Sequence, residues 1–85
     1  KPFPWMEAKL EEVSLLISMS EELSTEEQKT LNKLFPDLFV DRPHTVSSAI
    51  SVAHILKKAS PFLHDALKSA IGDKIVSTAL KFLDW

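Results

Sequence analysis

The stretch that decides the fold is residues 44–85, HTVSSAISVAHILKKASPFLHDALKSAIGDKIVSTALKFLDW. Its apolar side chains recur every three or four residues, which is the spacing of one face of an α-helix. Ser60-Pro61 is a typical helix start, with an N-cap before a proline at the first helical position. Gly72 stands where a helix end commonly takes a left-handed residue, and Asp73 can cap the helix after it. The predicted helices span about 44–59, 61–71 and 73–83.

The first half of the chain continues the helical pattern. Ser24 and Glu27 form a capping-box motif, in which each side chain accepts a hydrogen bond from the other residue's backbone amide. Pro36 disfavours helical geometry at the residue before it and so ends a helix there. The predicted helices in this half span about 5–19 and 25–35. We therefore predict an all-α fold, a compact bundle of four to five short amphipathic helices in a single domain.

The helix predicted at 44–59 is unusually apolar. Hydrophobic residues cover most of its circumference, and Asp41 or Thr45 is the predicted N-cap. A helix of this kind is usually the most buried one in a bundle. It is therefore either the buried axis of the domain or one lip of a binding groove. Its polar strip consists of Ser47, Ser51, His54 and Lys58.

Length and composition exclude several classes of protein. The chain has 85 residues, which is enough for one domain, and its net charge of −2 with a single arginine argues against a nucleic-acid-binding domain. No apolar run is long enough to span a bilayer, so we expect a soluble protein. The absence of cysteine favours the cytoplasm, and a processed secreted chain remains the alternative.

The sequence contains no catalytic or metal-binding motif. There is no cysteine nucleophile, and one glycine provides little material for an oxyanion-binding loop, so we predict that the protein is not an enzyme. His44, His54 and His64 are ten residues apart, whereas metal ligands on one helix are three or four apart. We therefore predict neither a metal site nor a cofactor.

Charge is distributed unevenly along the chain. Residues 1–43 contain nine acidic and five basic residues, while residues 44–85 contain three acidic residues and five lysines. This asymmetry is typical of acidic early helix turns and solvated faces. The alternative is a dipolar surface that steers a partner.

The candidate binding residues are apolar side chains in excess of those that a single core is expected to bury. They belong to the aromatic chain ends, to a second apolar stripe on the first helix, and to the wide apolar arc of the third. We expect a groove between the first, third and fifth helices that binds a partner's helix or a second copy of the chain. The terminal aromatics have an alternative role, which is to pin the chain ends onto the core. The candidates are Trp5, Leu15, Met19, Val52, Ile55, Phe82 and Trp85.

A lipid-binding role is the alternative function. Five amphipathic helices within this length resemble the plan of saposin-like proteins, a resemblance of helix number and length that lacks that family's cysteine framework. It implies binding to a lipid or membrane surface. The lysines of residues 44–85 and Trp85 suit an anionic surface, whereas the net charge of −2 opposes strong electrostatic docking.

Overall fold

The computed structural model describes residues 4–83 and 85. These residues form five α-helices and two short 3-10 helices, without a β-strand, in a body of 30 × 24 × 22 Å. The all-α bundle predicted from the sequence is confirmed. The helices are α1 (Pro4–Ser18), α2 (Thr25–Leu34), α3 (Thr45–Leu56), α4 (Pro61–Ile71) and α5 (Ser77–Leu83), and the 3-10 helices are Phe35–Leu38 and Gly72–Lys74.

Two helix starts follow directly from local sequence. The Glu27 amide donates to Ser24 Oγ at 3.1 Å, and the Ser24 amide donates to Glu27 Oε1 at 2.9 Å. At the start of α4, Ser60 Oγ accepts from the Leu63 amide at 3.3 Å. Caps of this kind stabilise a helix by about 1 kcal/mol each. Both predicted N-caps are confirmed.

The predicted left-handed end of α4 is wrong. Gly72 has φ −56° and ψ −37°, which is right-handed, and its amide donates to Lys68 O as in a continuing helix. The chain then tightens into the 3-10 helix that contains Asp73, so Asp73 does not cap α5.

A tertiary contact sets where α5 begins instead. Ile75 is extended and buried in the core. The next residue, Val76, donates its amide to Leu38 O at 2.9 Å. Because this bond ties the segment to the first 3-10 helix, α5 begins only at Ser77, four residues later than predicted.

The start of α3 depends on a buried hydroxyl. Thr45 is fully buried, and its Oγ1 accepts from the Arg42 amide at 2.8 Å. The same oxygen lies 2.7 Å from Val40 O and 3.0 Å from Asp37 O, either of which can accept its single proton. The predicted capping role of Asp41 or Thr45 is therefore wrong, since the N-cap residue is His44 and makes no side-chain cap.

The core contains two packed helix pairs, α1 with α4 and α3 with α5. α2 contacts both pairs, and the first 3-10 helix contacts α3 and α2. α1 packs on α4 and α2, while α3 packs on α5, on the first 3-10 helix and on α2. α3 ends at Leu56, earlier than predicted, because the following residues form a turn. The largest fully buried apolar side chains are Val13, Ile17, Leu31, Phe35, Leu38, Val52, Leu56, Leu63, Leu67 and Ile71.

An ion pair connects α2 to the turn after α3. Lys58 Nζ lies 2.6 Å from Glu27 Oε2. This hydrogen bond, together with the backbone amide of Ser24, holds the pKa of Glu27 below its ordinary value. Because Lys58 is exposed, the pair is a weak source of stability.

We expect Thr45→Val to break the hydroxyl junction while preserving side-chain shape. The Arg42 amide and the Val40 carbonyl would lose their partner, which costs about 1–3 kcal/mol for a buried polar group. Amide hydrogen exchange should show the Arg42 N–H exchanging at least tenfold faster. Thr45→Ser keeps the hydroxyl and is the control. Unchanged protection of Arg42 in the valine variant would contradict the proposed junction.

Candidate functional site

A groove opens between α3, α4 and α5. Its volume is about 280 Å³, and its floor includes Leu56 and Leu83, both of which are core residues. Phe82 is 41% exposed and forms one wall. The floor is therefore apolar and already held by the fold. The complete lining, called the groove below, is Ala53, Leu56, Lys57, His64, Phe82 and Leu83.

His64 is fixed at the edge of the groove. Its Nε2 lies 2.6 Å from Leu56 O. Because a carbonyl oxygen only accepts, Nε2 carries a proton and donates it. Leu56 is the last residue of α3, and its carbonyl also accepts from the Ala59 amide at 3.0 Å, so His64 adds a second hydrogen bond at the end of this helix. Helical spacing alone places His64 beside Asp65 and Lys68 on the polar side of its helix, whereas in the structure His64 is half-buried.

The charged side chains that line the groove are basic. Lys57 is exposed and, among the described residues, makes no ion pair, in contrast to Lys58, which is paired with Glu27. His64 is the other ionisable residue of the lining. The groove therefore combines an apolar floor with a basic edge.

The structure separates the three candidates that lie nearest to α3 and α5. Phe82 lines the groove. Val52 is fully buried in the core, so it is inaccessible to a partner, and its selection as a binding residue is corrected. Ile55 is half-buried and packs against the core without lining the groove.

The aromatic residues near the chain ends contact the core. The ring of Trp5 meets that of Phe39 edge to face, with centroids 5.9 Å apart, and Lys74 Nζ lies 5.5 Å from the Trp5 ring centroid. Trp85 is half-buried against the core, and its Nε1 is buried without a hydrogen-bond partner among the described residues. Both contacts are those of staples that pin chain ends.

Leu15 and Met19 lie on a different surface. They are 63% and 66% exposed, Leu15 in the last turn of α1 and Met19 directly after this helix. The groove described above lies beside α4, whereas the sequence predicts a binding groove beside the first helix. α1 packs chiefly on α4 and α2. The groove between the first, third and fifth helices stays a prediction.

Several residues of this region are recognisable only from the tertiary structure. Helical spacing places Ala53, Leu56 and Leu83 on apolar faces, but only the packing of α3 against α5 shows that they flank an opening. Helical spacing places Phe62 on the apolar face of its helix, yet it is 73% exposed. It occupies the first turn of α4, next to the buried Leu63.

Other classes of site find little support in the described part of the chain. No three His, Asp or Glu side chains there are close enough together to hold a metal ion. Among the same residues, no helix combines the length and the apolar character needed to cross a membrane.

We expect Val52→Asp to unfold the domain, because it would bury a carboxylate without a partner at a fully buried position. A loss of several kcal/mol is large against the total stability of a small domain. The matched control is Ile50→Asp on the same helix, at a position that is 50% exposed, where we expect a loss of about 1 kcal/mol or less. Circular dichroism during urea titration measures the free energy of unfolding of both variants. Similar losses in the two variants would show that the burial of α3 is misassigned.

Comparison with known proteins gives a family. No curated protein and no solved structure matches the chain. One family model, described as an uncharacterized protein conserved in bacteria, matches residues 1–83. Because this match covers almost the whole sequence, the chain belongs to the DUF2321 family.

Proposed function

We propose that this protein is a non-catalytic binding domain that engages a helix of a partner protein through the groove between α3, α4 and α5. The observation that carries the proposal is the combination of an apolar floor with an exposed aromatic wall and an exposed lysine at the edge. A few apolar anchors with polar groups at the rim are typical of surfaces that recognise an amphipathic helix.

The groove is suited to binding because its floor needs no rearrangement. Leu56 and Leu83 belong to the core, so their positions are fixed before a partner arrives. A preformed site avoids part of the ordering cost of association. Each apolar side chain buried on this floor would contribute about 1.5–3 kcal/mol before the entropic cost of association. We therefore expect a modest affinity that depends on one or two anchor side chains.

A selection of helical peptides against the folded domain tests this proposal. We expect a selected peptide to shift the backbone amide resonances of the groove residues. Ala53→Arg should weaken its binding at least tenfold, because the new side chain would occupy the groove. Ala8→Arg is the matched control, since Ala8 is an exposed alanine of α1 outside the groove.

Two results would contradict the groove as the binding site. One is a selected peptide whose resonance shifts lie elsewhere on the domain. The other is equal loss of binding in Ala53→Arg and Ala8→Arg, which would indicate a nonspecific effect of added charge.

A lipid surface is the second candidate ligand. The observation in its favour is Phe62, the most exposed large apolar side chain among the described residues, in the half of the chain that contains five lysines. An exposed aromatic side chain in a lysine-rich part of the chain suits an anionic membrane surface.

If lipid is the ligand, vesicles of phosphatidylcholine and phosphatidylglycerol should shift the tryptophan emission to the blue and carry the protein down on centrifugation. Phe62→Ser should weaken co-sedimentation because it removes the apolar contact. Leu15→Ser is the control, since Leu15 is similarly exposed but lies in the acidic half of the chain. The absence of both emission shift and co-sedimentation would exclude lipid binding under these conditions.

A further inference from the structure

Three side chains form a row along the end of α1 and the residue that follows it. This row, called the outer stripe below, consists of one carboxylate and two apolar side chains, Glu11, Leu15 and Met19. These residues are four apart, so they form one row along the helix. The Met19 amide donates to Leu15 O and Leu16 O, which keeps the row helical to its end. All three residues are exposed. The outer stripe is therefore the surface of an acidic amphipathic helix that is not covered within its own molecule.

The outer stripe and the groove have complementary chemistry. The outer stripe offers two long apolar side chains in line with a carboxylate, whereas the groove offers an apolar floor with Lys57 and His64 at its edge. A closed cavity of about 150 Å³ holds a benzene molecule. The groove volume of about 280 Å³ therefore leaves room for side chains of the size of Leu15 and Met19.

Resting on the proposed function of the groove, we propose that its occupant is the outer stripe of a second copy of this chain. Both surfaces are present on every molecule, and the two halves of the sequence have opposite net charge, −4 for residues 1–43 and +2 for residues 44–85. The outer stripe cannot enter the groove of its own molecule, because α1 is held against α4 and α2 by core packing. The partner surface therefore comes from another molecule.

Like-with-like pairing of these surfaces is disfavoured. Two outer stripes face to face would bring Glu11 towards its counterpart, and two grooves face to face would bring Lys57 towards its counterpart. Juxtaposed like charges oppose association, whereas opposite charges set register and raise the association rate. The arrangement that satisfies both surfaces joins the outer stripe of one copy to the groove of the next.

Sedimentation velocity from about 10 μM to about 1 mM tests the contact, because a small interface of this kind gives weak association. We expect the unmodified chain to self-associate, and added salt to weaken that association. Met19→Lys should raise the concentration needed for association at least tenfold. Asn32→Lys is the matched control, since it adds the same charge at an exposed position of α2 and should have no such effect.

The groove side is tested in the same way with Lys57→Glu, which changes an exposed side chain and so is expected to fold. Phe82→Ser is a second groove variant, and circular dichroism checks that each variant is folded. We expect Met19→Lys and Lys57→Glu each to remain monomeric where the unmodified chain associates. Mixed together they should form a 1:1 dimer, since the first retains an intact groove and the second an intact outer stripe.

A chain that stays monomeric to about 1 mM would overturn self-docking, as would undiminished association of Met19→Lys or the absence of a mixed dimer. None of these results bears on peptide binding at the groove, which the peptide selection measures separately. Self-docking and the proposed function can therefore fail independently.

Discussion

The hydroxyl of Thr45 is the constraint on which the arrangement of the second half depends. It is fully buried, and it joins the start of α3 to Asp37 of the first 3-10 helix and to Val40 and Arg42 in the segment that follows. Ser48, one turn later, donates to Asp37 Oδ2 at 2.7 Å and adds a second tie. A buried polar group left unpaired is costly, so these bonds leave α3 little freedom to rotate or slide.

The same segment also positions α5. Leu38 O, at the end of the first 3-10 helix, accepts from the Val76 amide immediately before α5. The starts of α3 and α5 are therefore both hydrogen-bonded to the first 3-10 helix, and the two helices pack against each other. His64 then joins α4 to the last carbonyl of α3. The groove is the space that these three anchored helices leave between them.

Sequence reasoning succeeded where structure is determined locally. The caps at Ser24 and Ser60 were predictable because each depends on residues within one helical turn. The end of α4 was not predictable in this way, since Gly72 is compatible with either hand of backbone and the structure continues it in the right-handed region. The hydroxyl of Thr45 was predicted to cap a helix, but its actual partners lie up to eight residues away, in the first 3-10 helix and in the segment after it.

The candidate site shows the same limit for side chains. Helical spacing identified an apolar stripe on α1 beyond its buried face, and the structure leaves Leu15 and Met19 exposed there. Helical spacing does not distinguish the buried Val52 from the exposed Phe82. Both are apolar residues of amphipathic helices, and only tertiary packing decides which of them reaches solvent. The basic edge at Lys57 and His64 exists only because α4 begins beside the end of α3.

Isolated exposed apolar residues are common on protein surfaces, so exposure alone is weak evidence of function. What gives Leu15 and Met19 significance is the carboxylate in their row and the matching basic groove on the same chain, since affinity from apolar burial becomes specific only when charge fixes the register.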